Sequence, residues 1–341
     1  MDAPMAPRPD GEAAILWSFR RCPYAIRARL ALAAAGVGVE VREVNLGARP
    51  PELLELWPPA TVPVLERPDG PPLTESLDVM TWALEQRDPQ DWLRRAERGE
   101  AAGEQRRRIG ELVAENDGPF KHHLDRFKYA SRYPGEDPAA HRQAALAILR
   151  RWNNQLEATA PSSVSGWLLG PHSCLADWAL LPFVRQFRIA DPAGFATTAG
   201  LEAVRAWLGR FETGAELAAV MAPPLAFRQP WRSPRWLYHL ALAEEWRAAE
   251  AEGVYRRSTR GLGLEQVGFI HASHAHQIAA TFQRFYADAP AVQLLTIAPE
   301  RLAAAGIAVR EEPAGESGEC FPHLYGPLPC QAVVAVELYP P

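Results

Sequence analysis

Apolar and polar positions alternate in three distinct ways along the chain. Residues 15–19 (Ile-Leu-Trp-Ser-Phe) are a short apolar run of strand type, followed by a turn at Arg20-Arg21. From Tyr24 to Ala35 apolar positions recur at helical spacing and stop at Gly36, with Pro23 where a first helical turn tolerates a missing N–H. Val37 to Leu46 alternates and is β-branched, which predicts a strand, and Leu53-Leu54 with Leu56 predicts a short helix before Pro58-Pro59. Val62 to Leu65 predicts a strand entered through Pro63, Pro68-Asp69-Gly70 a turn, and Leu73 the start of another strand. Thr74-Glu75-Ser76 then precedes the helical run Val79 to Leu84. This order predicts an α/β domain with a mixed sheet over residues 13–88.

Asp88 to Gly99 is polar and predicts a linker. Residues 100–222 carry helical patterns only, near 101–115, 120–130, 138–158, 175–189 and 200–212, which predicts an all-α bundle. Four prolines between Pro223 and Pro234 predict a second linker. Beyond it, strands are expected at 236–240, 267–271, 292–297 and 333–338 and helices at 243–252 and 277–286, a third, α+β domain over 233–341. The fold class is therefore multidomain.

Composition narrows the picture modestly. The chain has 341 residues, too many for one ordinary core, with 48% hydrophobic and 23% charged residues. No apolar run is long enough to cross a bilayer, and the first fourteen residues do not read as a signal peptide, so a cytoplasmic protein is expected. The net charge of −5 and the lack of a basic block argue against nucleic acid as a partner, and no membrane partner is expected. Four cysteines, Cys22, Cys174, Cys320 and Cys330, show neither CxxC nor zinc spacing, so no metal and no disulfide framework are expected. His122 and His123 are adjacent and diverge on a helix, which argues against a metal pair.

Cys22 carries the chemistry. A cysteine after a strand and at a helix start meets free N–H groups and the positive end of the helix dipole, which lowers a thiol's pKa. The stretch Ser18-Phe19-Arg20-Arg21-Cys22-Pro23-Tyr24-Ala25 resembles the active-site loop of glutaredoxins and of cysteine-type glutathione transferases. Thr61-Val62-Pro63-Val64-Leu65 resembles the loop whose proline is cis in that fold. Glu75-Ser76 resembles the pair that binds the γ-glutamyl end of glutathione, and Leu169-Gly170 to Asp177-Trp178-Ala179 the buried helix-start motif of the transferases' helical domain.

This resemblance implies a thioredoxin-like domain, a helical domain and glutathione as co-substrate. It places Cys22 as nucleophile, the Val62-Pro63 edge against the cysteinyl part of glutathione, and Glu75 and Ser76 on its charged end. Position 25 is Ala, so no internal thiol resolves a mixed disulfide and a second glutathione is needed. The implied reaction is thiol transfer or reductive deglutathionylation, with a small thiol, disulfide or glutathionylated substrate. Conjugation to electrophiles, with Ser18 or Tyr24 holding the glutathione thiolate, is the alternative, and a homodimer is a family expectation.

Lys121, Lys128 and Tyr129 read either as a substrate wall or as a solvated basic face. Asp177 is expected to support folding, with Cys174 standing where the family usually has Ser or Thr. In the third domain, Leu237-Tyr238-His239-Leu240, residues 268–273 (Gly-Phe-Ile-His-Ala-Ser) and residues 321–326 (Phe-Pro-His-Leu-Tyr-Gly) together resemble a bacterial domain family of unknown function. His239, His271, Ser273 and His323 are its candidate pocket residues. Tyr238-His239 also resembles the first motif of ADP-ribosyltransferase-like folds, where a histidine holds a nicotinamide dinucleotide; a module binding glutathione conjugates for a nucleotide-binding third domain is thus a further reading.

Overall fold

Ile15–Ser18 forms strand β1 and Pro23–Ala35 helix α1, with Cys22 as the extended N-cap residue between them. The computed structural model describes residues 14–96, 99–160, 166–221, 230–314 and 318–340. They divide into two compact units, one of residues 14–43 and 61–221, the other of 44–60 and 230–340.

In the first unit β1 pairs in parallel with β2 (Glu40–Glu43) and antiparallel with β3 (Val64–Arg67), and β4 (Gly70–Leu73) closes the order β2-β1-β3-β4. The Val62–Pro63 peptide is cis, immediately before β3. Helix α1 is buried almost all round, its two arginines Arg27 and Arg29 included. That explains its apolar sequence on every face: a helix covered on all sides needs no polar stripe. It ends at Gly36, whose φ of +68° suits a left-handed cap, with Val37 N–H bonded to the Leu32 carbonyl.

The short helix predicted around Leu53 is α2 (Pro51–Leu56), which belongs to the second unit. There Ser233 donates its hydroxyl to Glu52 at 2.7 Å and Arg235 pairs with Glu55 at 2.6 Å. Helix α3 runs over Ser76–Gln86. The segment expected to be a polar linker is instead anchored. Asp88 accepts the N–H groups of Trp92 and Leu93, and Trp92 is fully buried, stacked on Trp178 at 4.8 Å. Polar neighbours hid one core tryptophan in the sequence.

The helical part is α4 (Glu100–Glu115), α5 (Lys121–Lys128), α6 (Pro138–Thr159), α7 (Leu175–Ala190), α8 (Pro192–Thr197), α9 (Glu202–Thr213) and α10 (Ala215–Met221). Gly118-Pro119 does not break the chain between α4 and α5. Asn116–Phe120 forms a π-helical turn, in which Pro119 sits without interrupting the rod.

The second unit holds the three-stranded antiparallel sheet β14-β10-β5, built from β5 (Leu237–Leu242), β10 (Val292–Ile297) and β14 (Val333–Tyr339). Helix α11 (Ala243–Glu252) follows β5, then the short pieces β6 (Val254–Tyr255), β7 (Arg257–Thr259) and β8 (Leu262–Gly263). The strand expected over 267–271 is replaced by a turn of helix, α12 (Leu264–Val267), capped by Gly268 at φ +93°, and only Ile270–His271 is extended, as β9. Helices α13 (Ile278–Phe285) and α14 (Pro299–Ala304) flank β10. A second sheet, β11-β12-β9, is completed by β11 (Ala308–Pro313) and β12 (Cys320–Tyr325), and β13 (Leu328–Pro329) pairs with β6. β11 escaped the sequence reading because it is an exposed edge, Val-Arg-Glu-Glu at its centre, with no apolar face to alternate. The proline-rich linker lies outside the described residues at 222–229; beyond it Ser233 is fully buried.

Candidate functional site

The strand-to-helix turn places the half-buried Cys22 thiol over the loop that enters β3, with Sγ 3.6 Å from the Val62 carbonyl. Four groups favour its charged form: the N–H groups of Ala25 and Tyr24 and the cations Arg29 and Lys121. Burial outweighs them and pushes the thiol above its ordinary value. The low pKa expected from the helix start alone is therefore opposed by burial, which outweighs the N–H groups and cations around the sulfur. In the free protein the thiolate fraction should rise with pH through the alkaline range. Alkylation of Cys22 by iodoacetamide, followed by peptide mass spectrometry, should accelerate accordingly. Lys121→Met should move that profile up by a few tenths to about one pH unit.

Ser76 opens α3 and is 2% exposed; Glu75, its N-cap, is exposed. The Ser76 hydroxyl accepts from Arg27 Nε at 2.9 Å. The same guanidinium, itself 2% exposed, grips Asp117 in a fork of 2.8 and 2.7 Å. Sequence reading missed both Arg27 and Asp117. An arginine in an apolar helix facing the core is a usable signal, because a buried charge requires a partner.

The two hydroxyls of the alternative mechanism are differently placed. Ser18 is fully buried, and its hydroxyl accepts from Arg29 at 2.6 Å. Tyr24 packs edge-on against Phe183 at 4.8 Å, with Arg27 and Lys121 over its ring at 4.9 and 5.6 Å, and burial pushes its phenol upward. Lys121, also paired with Asp125, thus stands beside Cys22 and Tyr24. Lys128 and Tyr129 lie two helical turns further on, about 10 Å along the axis. Their ring contact is with each other at 4.9 Å, and Arg132 covers Tyr129 at 4.5 Å. The proposed wall is split accordingly.

Asp177 is completely buried at the start of α7. It accepts N–H bonds from Leu168 (3.0 Å), Cys174 (2.9 Å) and the Trp207 indole (3.0 Å). The Cys174 thiol takes the place of a capping hydroxyl, 3.3 Å from the same carboxylate, and burial pushes that thiol strongly up, leaving it inert.

In the second unit a cavity of about 270 Å³ is lined by His239, Ser258, His271, Ser273, Arg284 and Phe321 among others. His239 Nδ1 donates to the His271 carbonyl at 2.6 Å, which leaves Nε2 as acceptor toward the Tyr255 hydroxyl at 3.3 Å; burial pushes its pKa down to about 4. His271 Nδ1 meets the Ser258 hydroxyl at 3.0 Å. His323, expected with them, is not part of the lining. Its ring stacks on Phe269 at 3.9 Å and bonds Glu312 at 2.7 Å. Its ring lies 5.0 Å from that of His271 because the two are paired in register across β12 and β9.

Three comparisons place this geometry among known proteins. Residues 16–92 match the family model described as glutathione S-transferase, N-terminal domain, and residues 240–336 match a family described as protein of unknown function (DUF952). Mouse glutathione S-transferase omega-1 is 40% identical over 75 residues, 22% of this chain and 31% of that protein. Pyrimidodiazepine synthase of Drosophila melanogaster is 40% identical over 87 residues, 25% of this chain and 36% of that protein. The chain therefore spans about a third of the length of these curated relatives. Among solved structures, glutathione transferase Omega 3C from Trametes versicolor superposes with a TM-score of 0.50 at 19% identity, covering 62% of this chain and 85% of that one. A glutathione transferase family member from Pseudomonas fluorescens, with two glutathione bound, gives 0.51 at 18% identity over 63% and 95%. The first region thus carries the glutathione transferase type of thioredoxin fold, followed by a helical domain and a C-terminal sheet-containing domain. Among the described residues no helix is long and apolar enough to cross a membrane.

Proposed function

We propose that this chain is a glutathione-dependent thiol transferase that works through a mixed disulfide on Cys22. The observation that carries the reading is the pairing of a thiol on the N-cap residue of α1, beside Val62, with a buried alanine at position 25. The nucleophile has a peptide edge to dock against and no neighbouring thiol to resolve it. The Cys22 thiolate attacks the glutathione-side sulfur of a mixed disulfide, the S–S bond breaks, and the other thiol leaves as thiolate and takes up a proton. A second glutathione, as thiolate, then attacks the Cys22–glutathione disulfide, yielding oxidised glutathione and restoring Cys22. One substrate disulfide is reduced and two glutathionyl units end as one disulfide, so the cycle balances.

Glutathione lies, in this reading, with its cysteinyl backbone along Val62-Pro63 and its γ-glutamyl end at Glu75 and Ser76. Arg27 holds the Ser76 hydroxyl in place from below, and Lys121 adds positive potential beside the sulfur. The test is glutathione-dependent reduction of a small glutathionylated thiol, run beside conjugation of an electrophilic aromatic chloride. Turnover should appear in the first assay and depend on Cys22; turnover confined to the second would favour the conjugating alternative. Ser76→Ala should raise KM for glutathione about tenfold while changing kcat less, since one hydrogen bond to a charged group is lost (about 1.5–3 kcal/mol at most).

A further inference from the structure

Three imidazoles meet where α5 and α6 begin. His122 and His123 stand in the first turn of α5, His141 in the first turn of α6, and one ring nitrogen from each lies within 4.8 Å of the other two. The adjacent pair, expected to diverge, instead stands edge-on with ring centroids 5.0 Å apart, and His141, eighteen residues beyond His123, closes the group. His123 Nδ1 and His141 Nδ1 face each other at 2.8 Å. On its other side His141 Nε2 is 2.8 Å from Glu136, whose carboxylate is in turn held by Arg126 Nε at 2.7 Å.

This second contact fixes the chemistry of the first. A carboxylate accepts, so His141 carries its proton on Nε2 and presents a lone pair at Nδ1. His123 then fills the gap by donating from Nδ1; once that proton shifts to His123 Nε2, an ion between the two nitrogens meets both lone pairs. The arrangement of a carboxylate behind a histidine whose free nitrogen faces further ligands is the one that orients imidazoles on metals.

We propose that His122, His123 and His141 form a binding site for a divalent transition metal of zinc-like preference, oriented by Glu136. Three neutral imidazoles suit zinc, cobalt, nickel or copper and not the oxygen-seeking magnesium or calcium. Ligand atoms on one tetrahedral ion stand about 3.3 Å apart, so the 2.8 Å pair opens slightly and the exposed His122 swings inward. An ion here ties α5 to α6, and α5 is the helix that brings Lys121 to Cys22.

The test is titration of the full chain with cobalt(II), with zinc displacement followed calorimetrically. One equivalent should bind with ligand-field bands of nitrogen-coordinated cobalt and without net proton release, since three neutral imidazoles are the ligands. His122→Gln, an exposed change that leaves the fold intact, should weaken binding at least about tenfold, and Glu136→Gln about tenfold. Cys22→Ser should leave the affinity unchanged. Undiminished binding by His122→Gln, a thiolate-to-cobalt charge-transfer band that disappears in Cys22→Ser, or no binding at submillimolar metal would each overturn the proposal.

Discussion

Cys22→Ser is expected to lower glutathione-dependent reduction of a mixed disulfide by about 10³-fold or more, with no compensating change in KM. A serine hydroxyl retains the N-cap geometry but cannot form or release a disulfide, so the covalent step itself is removed and only background exchange by free glutathione remains. The fold should be unaffected, because the Cys22 side chain makes no capping bond of its own and serine is a good N-cap residue. Conjugation supplies the contrast. A hydroxyl at this place donates to a bound glutathione thiolate, so the same variant should retain or gain activity toward an electrophile. Measuring both reactions on both proteins separates the mechanisms. Equal loss in the two assays would point to a damaged glutathione site and would sink the assignment of Cys22 as nucleophile.

Asp177→Ala is expected to be the most destabilising single change in the helical domain, by about 3–5 kcal/mol. Three N–H donors, from Leu168, Cys174 and Trp207, converge on its two oxygens in a site closed to water. Alanine strands all three and opens a hole at the start of α7. Asp177→Asn keeps one oxygen and should cost about half as much, because the new amide confronts donors with a donor. Trp207→Phe removes a single partner and should be milder still. Thermal unfolding followed by circular dichroism would rank the three. Equal midpoints for Asp177→Ala and wild type would refute the role.

The order of elements around Cys22 was legible because strands and helices alternate there with their own periods, and because the motif residues fall at fixed places on them. The positions of Cys22, Val62-Pro63 and Glu75-Ser76 follow from that order. What pattern alone did not show is how burial redistributes charge. Cys22 sits at a helix start, yet its thiol is raised. Ser18 has a hydroxyl near the site, yet it is fully buried. Trp92 was lost among polar neighbours, and β11 had no apolar face to betray it. His141 illustrates the remaining gap: residues eighteen apart on different helices meet only once the packing of α5 on α6 is known.

Arg27 adds a consequence of another kind. Its guanidinium joins α1 to the first residue of α3 and to the π-helical turn, and both it and Asp117 are spoken for by that fork. Losing Asp117 alone strands the buried Arg27 guanidinium, whereas Asp117, 30% exposed, keeps access to water when the arginine is lost. In descent, then, lineages that keep the arginine should keep the acid, whereas the acid does not require the arginine.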